Sequence, residues 1–360
     1  MADAVPLYPL YALLFAANGL DDAQISALLL IWGAVGIVAE VPSGAVADRC
    51  SRRGCLVAAG VLQALAFGVW LAAPAFAGYA VGFVVWGLGG ALVSGAQEAL
   101  LYDGLAADGA EDSYARVQGW VGAAGLAAQV PAALAATALY AAGGFMLVGV
   151  ASVGVALLAA LLAARLGEPP RSGDDEDGPG YLDGLRRGVR EAATAPVVRA
   201  AVLAVAVLGG FDAIEEYFPL LAADWTVPVG LVPPAMLAIS VAGALGAASV
   251  GIADRLRPAA HAVVFAVVLA LLGVALALDA PVGLLAVAVA YGMYRVVLVV
   301  VDARLQAAIT GPSRATVTSV AGLGLELGGI ALFAVWAAGG LLAVVLVWLP
   351  AVVLLARLRR

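Results

Sequence analysis

The sequence predicts an all-α membrane protein of twelve transmembrane helices, arranged as two pseudo-symmetric bundles of six. Hydrophobic residues make up 64% of the 360 residues and charged residues only 12%, which is more apolar surface than one water-soluble core can bury. Apolar stretches of about 17 to 25 residues, the length that crosses a bilayer, recur along the whole chain. Short segments that contain Gly, Pro, Asp or Arg separate them.

These apolar stretches define the predicted spans. The first has few residues ahead of it and is as short as a signal peptide, but it lacks a basic n-region and a small-residue cleavage site, so we interpret it as a span. The predicted spans are residues 4–20, 23–47, 55–75, 78–102, 114–140, 144–165, 197–221, 229–253, 259–278, 281–305, 315–338 and 340–357.

The arginines predict how the chain is oriented. The sequence has no lysine, and seventeen of its eighteen arginines fall in the connections and the C-terminal tail on one side, or within a few residues of them, when the predicted spans alternate. The connections on the other side carry acids and no arginine. Under the positive-inside rule, we therefore expect a multi-pass protein of the cytoplasmic membrane with both termini in the cytoplasm.

One long polar segment divides the chain into two halves. Residues 166–196 hold the acidic stretch GDDEDGPG, followed by YLDGLRRGVREAA, whose apolar residues have the spacing of a short amphipathic helix on the inner membrane surface. We therefore predict an N-terminal six-helix bundle over residues 1–165, this cytoplasmic central loop, and a C-terminal six-helix bundle over residues 197–360.

Short segments of the two halves are similar to each other. VADRCSRR at the end of the second span is matched by IADRLRP at the end of the eighth, so that Asp48 and Arg49 correspond to Asp254 and Arg255. YARVQGWVGAAG, which opens the fifth span, is likewise matched by SRATVTSVAGLG in the eleventh. Internal repeats of this kind are typical of carriers whose site lies near the midplane, where the halves meet.

The loop after the second span carries a motif. Gly44, Asp48, Arg49, Arg52 and Arg53 match the G-x-x-x-D-R-x-G-R-R pattern of the major facilitator superfamily, with serine in place of the second glycine. The chain resembles that family over its whole length, because the spans, the central loop and a weaker second copy of the motif fall where the family has them. The resemblance implies secondary transport by alternating access.

We interpret this motif as a latch between the cytoplasmic ends of helices. Gly44 allows a neighbouring helix to approach closely. Asp48 can accept hydrogen bonds from Arg52, from Arg53 or from the N-terminus of the eleventh helix, where the helix dipole is positive. A purely topogenic role of the arginines is the alternative, but it does not explain the glycine and the aspartate.

Two other marks of the family are incomplete. The arginine that many relatives place in the fourth span is replaced by Phe83, and the glycine-proline motif of the fifth span is only partly met around Pro131. Both departures argue against antiport. The segments EVPSGAVADR, QEALLYDGL and SRATVTSV resemble those of prokaryotic facilitators that are often labelled efflux carriers.

Acidic residues inside the seventh span are candidate coupling groups. An ionisable group within a span costs about 2.5 to 3.5 kcal/mol on insertion scales, so it is a functional candidate by default. Asp212, Glu215 and Glu216 are spaced to share one face of an α-helix, where like charges favour proton binding by one of them. We predict proton coupling by Asp212, Glu215 and, on the fourth span, Glu98. The alternative places Glu215 and Glu216 in water at the outer mouth.

Arg295 is the one predicted cation in mid-membrane. Its expected partners in a structural ion pair are Asp302, two helical turns further along the tenth span, and Glu326 on the eleventh. The alternative is that Arg295 contacts substrate, with Tyr291 and Tyr294 stacking on an aromatic or cationic ligand. Ordinary helix packing also accounts for both tyrosines.

The remaining intramembrane polar residues have simpler assignments. Glu40, on the second span, is predicted to form a structural tie rather than to bind substrate. The other candidate groups of a substrate cavity are Tyr11, Asn18 and Gln97.

Absent residue types exclude several classes of protein. Without lysine the chain has no P-loop lysine and no Schiff base, so it cannot drive transport with ATP on its own. One histidine and two cysteines leave no catalytic or metal-ligating set, so we expect no enzyme activity, no metal and no cofactor. The sparse basic surface argues against a nucleic-acid partner.

These features lead to three hypotheses. The leading one is a proton-coupled secondary carrier that exports small amphipathic or cationic compounds, because acids outnumber Arg295 within the spans. The second is an importer or facilitator of a polar nutrient or organic anion, with Arg295 holding a carboxylate. The third is a non-transporting scaffold or sensor. The expected partners are a small-molecule substrate, protons and the lipid bilayer, and we expect a monomer.

Overall fold

A computed structural model of the protein confirms the all-α architecture. No strand occurs among the residues that it describes. The amphipathic helix predicted in the central loop lies outside those residues, as do the second-copy residues Asp254 and Arg255. The described ranges are 4–49, 51–168, 196–249, 258–308 and 314–357.

The chain divides into two compact units, and helices make up both. The first unit is Met1–Gly178 with Val229–Pro234, and the second is Pro179–Pro228 with Ala235–Arg360. The helices of the first unit are α1 (Tyr11–Ala17, after a 3-10 turn at Tyr8–Leu10), α2 (Asp22–Arg49), α3 (Arg52–Ala72), α4 (Phe76–Ala107) and the segment Tyr114–Ala163, which follows a 3-10 turn at Glu111–Ser113 and comprises α5 (114–142) and α6 (145–163).

The second unit begins with an interrupted helix. An α-helix, a 3-10 turn and a second α-helix follow one another without a loop. The elements are α7 (Pro196–Phe211), the 3-10 turn Asp212–Tyr217, α8 (Phe218–Asp224), α9 (Val232–Ala248), α10 (Pro258–Leu278), α11 (Gly283–Ala308) and the segment Arg314–Arg357, which comprises α12 (314–338) and α13 (341–357).

Two glycine pairs break the longest helical segments at equivalent places. Gly144 and Gly340 have φ of 60° and 59° with ψ of −158° and −151°, a combination that is essentially limited to glycine. Each follows another glycine, at 143 and 339. The breaks lie between the fifth and sixth and between the eleventh and twelfth predicted spans, so the halves repeat this feature.

Helices occur at every predicted span, but two of them differ from the prediction. The first, residues 4–20, contains only the short apolar helix Tyr8–Ala17, fewer residues than a single crossing needs. The seventh, residues 197–221, is broken rather than continuous. Among the described residues, eight helical segments are long and apolar enough to cross a membrane, and two of those contain a glycine break. Twelve crossings therefore stay a prediction.

Pro219 explains why the seventh span is broken. It lies in the first turn of α8 and has no N–H to donate to the carbonyl of Glu215, four residues earlier. The preceding residues therefore form the tighter 3-10 turn. The break falls at the charged residues of this span, which determines how their side chains are arranged.

Aromatic side chains form the core of the first unit. The buried Trp70 on α3 donates its indole N–H to the backbone carbonyl of Tyr79 on α4, at 3.0 Å. Phe15 packs on Tyr79 with ring centroids 4.1 Å apart. Tyr11 is 3% exposed within this cluster. The predicted cavity residue Tyr11 is thus a core residue, because α1 packs its aromatic face against α3 and α4.

The connections after α1 and α8 have the same backbone geometry with different residues. Gly19 has φ of 87° and donates to the Ala16 carbonyl, and Thr226 has φ of 63° and donates to the Ala223 carbonyl, both at 2.9 Å. Left-handed backbone costs a β-branched residue about 1 to 2 kcal/mol, whereas glycine adopts it freely. Thr226 is therefore strained.

Thr226→Gly is expected to stabilise the protein. The strain at this position should exceed the added flexibility of the unfolded chain, so the apparent unfolding temperature should rise by about 2 to 4 °C. Tryptophan fluorescence of the purified protein during heating in detergent measures the change. The matched variant is Gly19→Ala, which has open space for its Cβ and should lower the same temperature. An unchanged or lower unfolding temperature for Thr226→Gly would contradict the expectation.

Candidate functional site

Four polar side chains of the second unit meet where the 3-10 turn faces α11. The guanidinium of Arg295 donates from Nη1 to the two carboxylate oxygens of Asp212, at 2.9 and 3.3 Å. The hydroxyl of Tyr291 lies 3.2 Å from Oδ1 of Asp212 and 2.9 Å from Oε2 of Glu215. We call these residues, Asp212, Glu215, Tyr291 and Arg295, the charged cluster.

The 3-10 turn determines which acids join the cluster. Residues three apart are eclipsed in a 3-10 helix, so Asp212 and Glu215 point the same way. Glu216 is turned about a third of a turn further and is buried. The prediction that all three acids share one face of an α-helix is therefore wrong for Glu216, and the alternative that it lies in open water does not fit its burial.

The cluster is partly enclosed by its own unit. The side chains of Asp212 and Arg295 keep 30% and 31% of their surface exposed, whereas Tyr291 keeps 7%. Phe218 packs edge-on against Tyr291 with ring centroids 5.6 Å apart. Asp212 and Arg295 therefore remain accessible, whereas the ring of Tyr291 is buried against Phe218.

Tyr294, the other predicted ligand-stacking residue, has a structural role. It is fully buried and donates its hydroxyl to the Leu208 carbonyl at 2.6 Å. Its ring also packs against Phe211, with centroids 5.1 Å apart. Tyr294 thus fastens α11 to α7 beside the cluster.

The single hydroxyl hydrogen of Tyr291 limits which carboxyl groups of the cluster can be ionised. A phenol has one hydrogen, so its contacts to two carboxyl groups can both be hydrogen bonds only if one carboxyl group is protonated and donates to it. Asp212 forms the ion pair with Arg295, and Glu215 does not. The geometry therefore favours a protonated Glu215 that donates to Tyr291, which in turn donates to Asp212.

The partner of Arg295 differs from the two expected from the sequence. Asp212 takes the place predicted for Asp302 or Glu326, both of which are exposed on α11 and α12. The paired residues are 83 positions apart. Spacing along the tenth span suggested Asp302, and nearness along the chain suggested Glu326. Only the packing of α11 against the end of α7 brings Asp212 to Arg295.

A second charged contact lies in the first unit, where α3 meets α4. Arg52 of the sequence motif forms an ion pair with Asp103 and donates to the Ala99 carbonyl at 3.2 Å. Asp103 is only 5% exposed. Asp103 is not among the predicted site residues, although it lies within the segment QEALLYDGL. An acid at the end of the fourth span, on the same predicted side as Arg52, was the available signal.

The start of α3 is also tied to the residues that follow α6. The hydroxyl of Ser51 accepts from the Gly54 N–H at 2.9 Å and donates to Oε2 of Glu168 at 2.5 Å. Arg53 donates to the Leu166 carbonyl at 3.4 Å and approaches Glu168 to 3.9 Å. The hydrogen bond from Ser51, with a smaller contribution from the Arg53 charge, holds the pKa of Glu168 below its usual value. Arg53 thus binds its own unit.

The latch itself stays a prediction. Gly44, Asp48 and Arg49 lie on α2, but their side chains are outside the described part of the structure, as are Asp254 and Arg255. The described residues of the motif, Arg52 and Arg53, have the partners given above.

The other predicted residues lie apart from the cluster along the chain. Ser94 approaches the carboxylate of Glu40 at 3.4 and 3.5 Å, which is a weak tie between α2 and α4. Gln97 is half-buried and Glu98 is exposed on α4. The amide of Asn18 donates to the Leu14 carbonyl at 2.7 Å, so it completes the end of α1. No group of three or more metal-ligating side chains occurs in the described ranges.

The fold and the charged cluster together define a class of protein. Long apolar helices that enclose an ion pair, a hydroxyl and a further carboxyl group are typical of membrane transporters. The profile of the Major Facilitator Superfamily matches residues 1–332. The chain therefore belongs to that superfamily, which makes it a multi-pass membrane transporter of small molecules rather than an enzyme.

Solved structures of transporters have the same fold. A bacterial homologue of the human lysosomal transporter Spinster, inward-facing and unoccupied, has a TM-score of 0.72 at 18% identity over 92% of this chain and 77% of its own. An inward-facing bacterial homologue of the iron transporter ferroportin has 0.69 at 18% over 99% and 94%. A D-xylose-proton symporter has 0.71 at 15% over 99% and 94%. No curated protein sequence matches the chain.

Proposed function

We propose that this transporter exports small amphipathic or cationic compounds in exchange for protons, that Glu215 carries the proton, and that the charged cluster supplies the coupling in place of the incomplete fourth- and fifth-span motifs. The observation that carries the proposal is the contact of Tyr291 with both Glu215 and Asp212, beside the ion pair of Asp212 with Arg295. This arrangement contains one carboxyl group that is neutralised by arginine and one that is not. The second group is the one suited to bind and release a proton.

Competition between a proton and a cation couples their movements. Ionised Glu215 adds a negative charge beside Asp212 and Glu216, and this charge is compensated either by a proton or by a cationic ligand. Each therefore weakens the binding of the other by the same factor. If the site is open to one side of the membrane at a time, a proton replaces the cation on the outer side and a cation replaces the proton on the inner side, which produces exchange.

The ion pair supports a cationic rather than an anionic substrate. An organic anion at Arg295 would either compete with Asp212 for the guanidinium or bring a further negative charge beside Asp212 and Glu215, and both are unfavourable within the membrane. A cation meets the acids without breaking the pair. We therefore favour cation export over the alternative of an anion or nutrient carrier that uses Arg295.

We further propose that the protein works as a monomer in the cytoplasmic membrane, with both termini in the cytoplasm. The placement of the arginines supports this orientation. Transport across this membrane would be powered by the proton gradient, because the chain has no lysine with which to build a P-loop.

Proteoliposomes with an acidic lumen test the proposal with ethidium as the probe. The wild-type protein is expected to accumulate ethidium inside as protons leave. Glu215→Gln, whose neutral amide cannot release a proton, should lose gradient-driven accumulation by at least about tenfold. It should show ethidium counterflow only at higher ethidium concentrations, because the amide, like the protonated acid, lacks the charge that attracts the cation. Asp302→Asn, an exposed acid on α11 outside the cluster, is the control and should behave as wild type. Wild-type accumulation by Glu215→Gln would overturn the assignment.

A further inference from the structure

A glycine of α9 lies against two members of the charged cluster. A Cβ atom at Gly243 would come within 2.6 Å of Cε1 and 2.9 Å of Cδ1 of Tyr291, and within 3.3 Å of Cγ of Arg295. Carbon atoms in favourable contact are about 3.5 to 4.0 Å apart. Any side chain at position 243 would therefore displace the tyrosine ring by up to about 1 Å and press on the stem of the arginine.

The close contact between the backbones of α9 and α11 keeps these helices from moving apart to make room for a side chain at position 243. A Cβ atom at Gly246 would lie 2.0 Å from the Gly292 carbonyl oxygen, and one at Gly292 would lie 2.9 Å from the Ala242 carbonyl oxygen. The two backbones are thus in contact beside Tyr291. The backbone at Tyr291 is fixed next to this contact. A side chain at position 243 would therefore have to displace the ring of Tyr291.

We propose that Gly243 is a positioning residue of the transport site. Because it has no side chain, Gly243 leaves room for the ring of Tyr291 and the stem of Arg295 at the positions where they meet Glu215 and Asp212. It thereby sets the pH range over which transport operates. This inference rests on the proposed function, because it assigns Gly243 a role in the protonation of Glu215.

The expected direction of the pH effect follows from the groups that face Glu215. They are Asp212 and Glu216 on its own segment and Tyr291 and Arg295 on α11. A shift of the ring by about 1 Å breaks a hydroxyl contact of 2.9 Å. Hydrogen bonds to charged groups are about twice as strong as neutral ones, so the loss disfavours ionised Glu215 more than its protonated form. With the ring displaced, Glu215 should keep its proton up to a higher pH.

Gly243→Ala tests the proposal through the pH dependence of ethidium uptake into proteoliposomes. The pH of half-maximal transport is expected to rise by about one unit, the size of one charge-assisted hydrogen bond. Infrared difference spectroscopy gives a second readout, because the signal of the protonated carboxyl, assigned by its absence in Glu215→Gln, should persist to the same higher pH.

Two glycine variants provide matched controls. A Cβ atom at Gly149 would lie 2.5 Å from the Leu71 side chain, so Gly149→Ala in the first unit introduces similar crowding away from the cluster. Gly273→Ala on α10 has open space. Both are expected to keep the wild-type pH of half-maximal transport. A shift of the same size in Gly149→Ala would show that crowding alone is responsible and would overturn the proposal.

The outcomes separate this inference from the proposed function. If Glu215→Gln loses coupling while Gly243→Ala keeps the wild-type pH profile and infrared signal, the positioning role is wrong and the proposed function stands. If Glu215→Gln stays coupled, the proposed function is wrong. If Gly243→Ala does not fold, the double variant with Tyr291→Ala should fold, because the displaced ring is gone. Failure of that rescue would assign Gly243 to helix packing alone and overturn the proposal.

Discussion

Asp212→Asn is expected to abolish proton-driven transport and to destabilise the second unit. Arg295 would lose its carboxylate partner and remain charged within a membrane-spanning helix. Because both side chains are partly exposed, the expected loss is about 1 to 3 kcal/mol, below the value for a fully buried pair. Ethidium uptake should fall at least about tenfold, and the unfolding temperature in detergent should decrease.

A double variant separates the effect of an unpaired Arg295 on stability from the loss of the ion pair itself. The double variant Asp212→Asn with Arg295→Gln removes both charges, so much of the stability should return while transport stays lost. Wild-type stability and transport in the single variant would show that the ion pair has no role. Recovery of transport in the double variant would show that its charges are dispensable.

Asp103→Asn is expected to cause the largest loss of stability in the first unit. Asp103 is almost fully buried, and removing its charge leaves the guanidinium of Arg52 with the Ala99 carbonyl and no acid. Breaking a buried ion pair by removing one partner costs about 3 to 5 kcal/mol. Thermal unfolding in detergent, followed by fluorescence, measures the loss.

A neighbouring acid on α4 is the control for this variant. Glu98→Gln changes an exposed carboxylate and is expected to alter stability by no more than about 0.5 kcal/mol. The double variant Asp103→Asn with Arg52→Gln should recover part of the loss, since no unpaired charge remains. Equal stability of Asp103→Asn and Glu98→Gln would contradict the buried ion pair.

The sequence predicted much of the fold because lipid imposes a simple rule on it. A helix that crosses a membrane needs a long apolar stretch, so composition and length located the helices to within a few residues. The break of the seventh span was missed because apolar residues flank its three acids on both sides and its total length suits one continuous helix. Pro219, whose ring removes one backbone donor, was the local signal for the 3-10 turn.

The members of the charged cluster could be predicted, but their pairing could not. Asp212, Glu215, Tyr291 and Arg295 are polar within apolar spans, and that contrast is visible in the sequence. Which charges meet depends on how helices pack, so the sequence suggested partners for Arg295 on its own and the next span. Gly243 gave no signal of its own, since glycines are frequent in this chain.

The buried pair of the first unit illustrates the same limit. Arg52 was selected because it belongs to a known motif, and its partner Asp103 was not, because a single acid at the end of a span resembles a solvated helix terminus. Only the packing of α3 on α4 distinguishes a buried ion pair from two exposed charges.

Exchange of a proton on Glu215 for a cationic ligand is tested most directly by counting the protons released on binding. Purified protein in weakly buffered detergent is mixed with ethidium, and a pH indicator records the change. The wild-type protein should release protons in proportion to bound ethidium, and Glu215→Gln should bind ethidium more weakly and release none. Binding without proton release in the wild type, or equal release from Glu215→Gln, would contradict the assignment of Glu215 as the proton carrier.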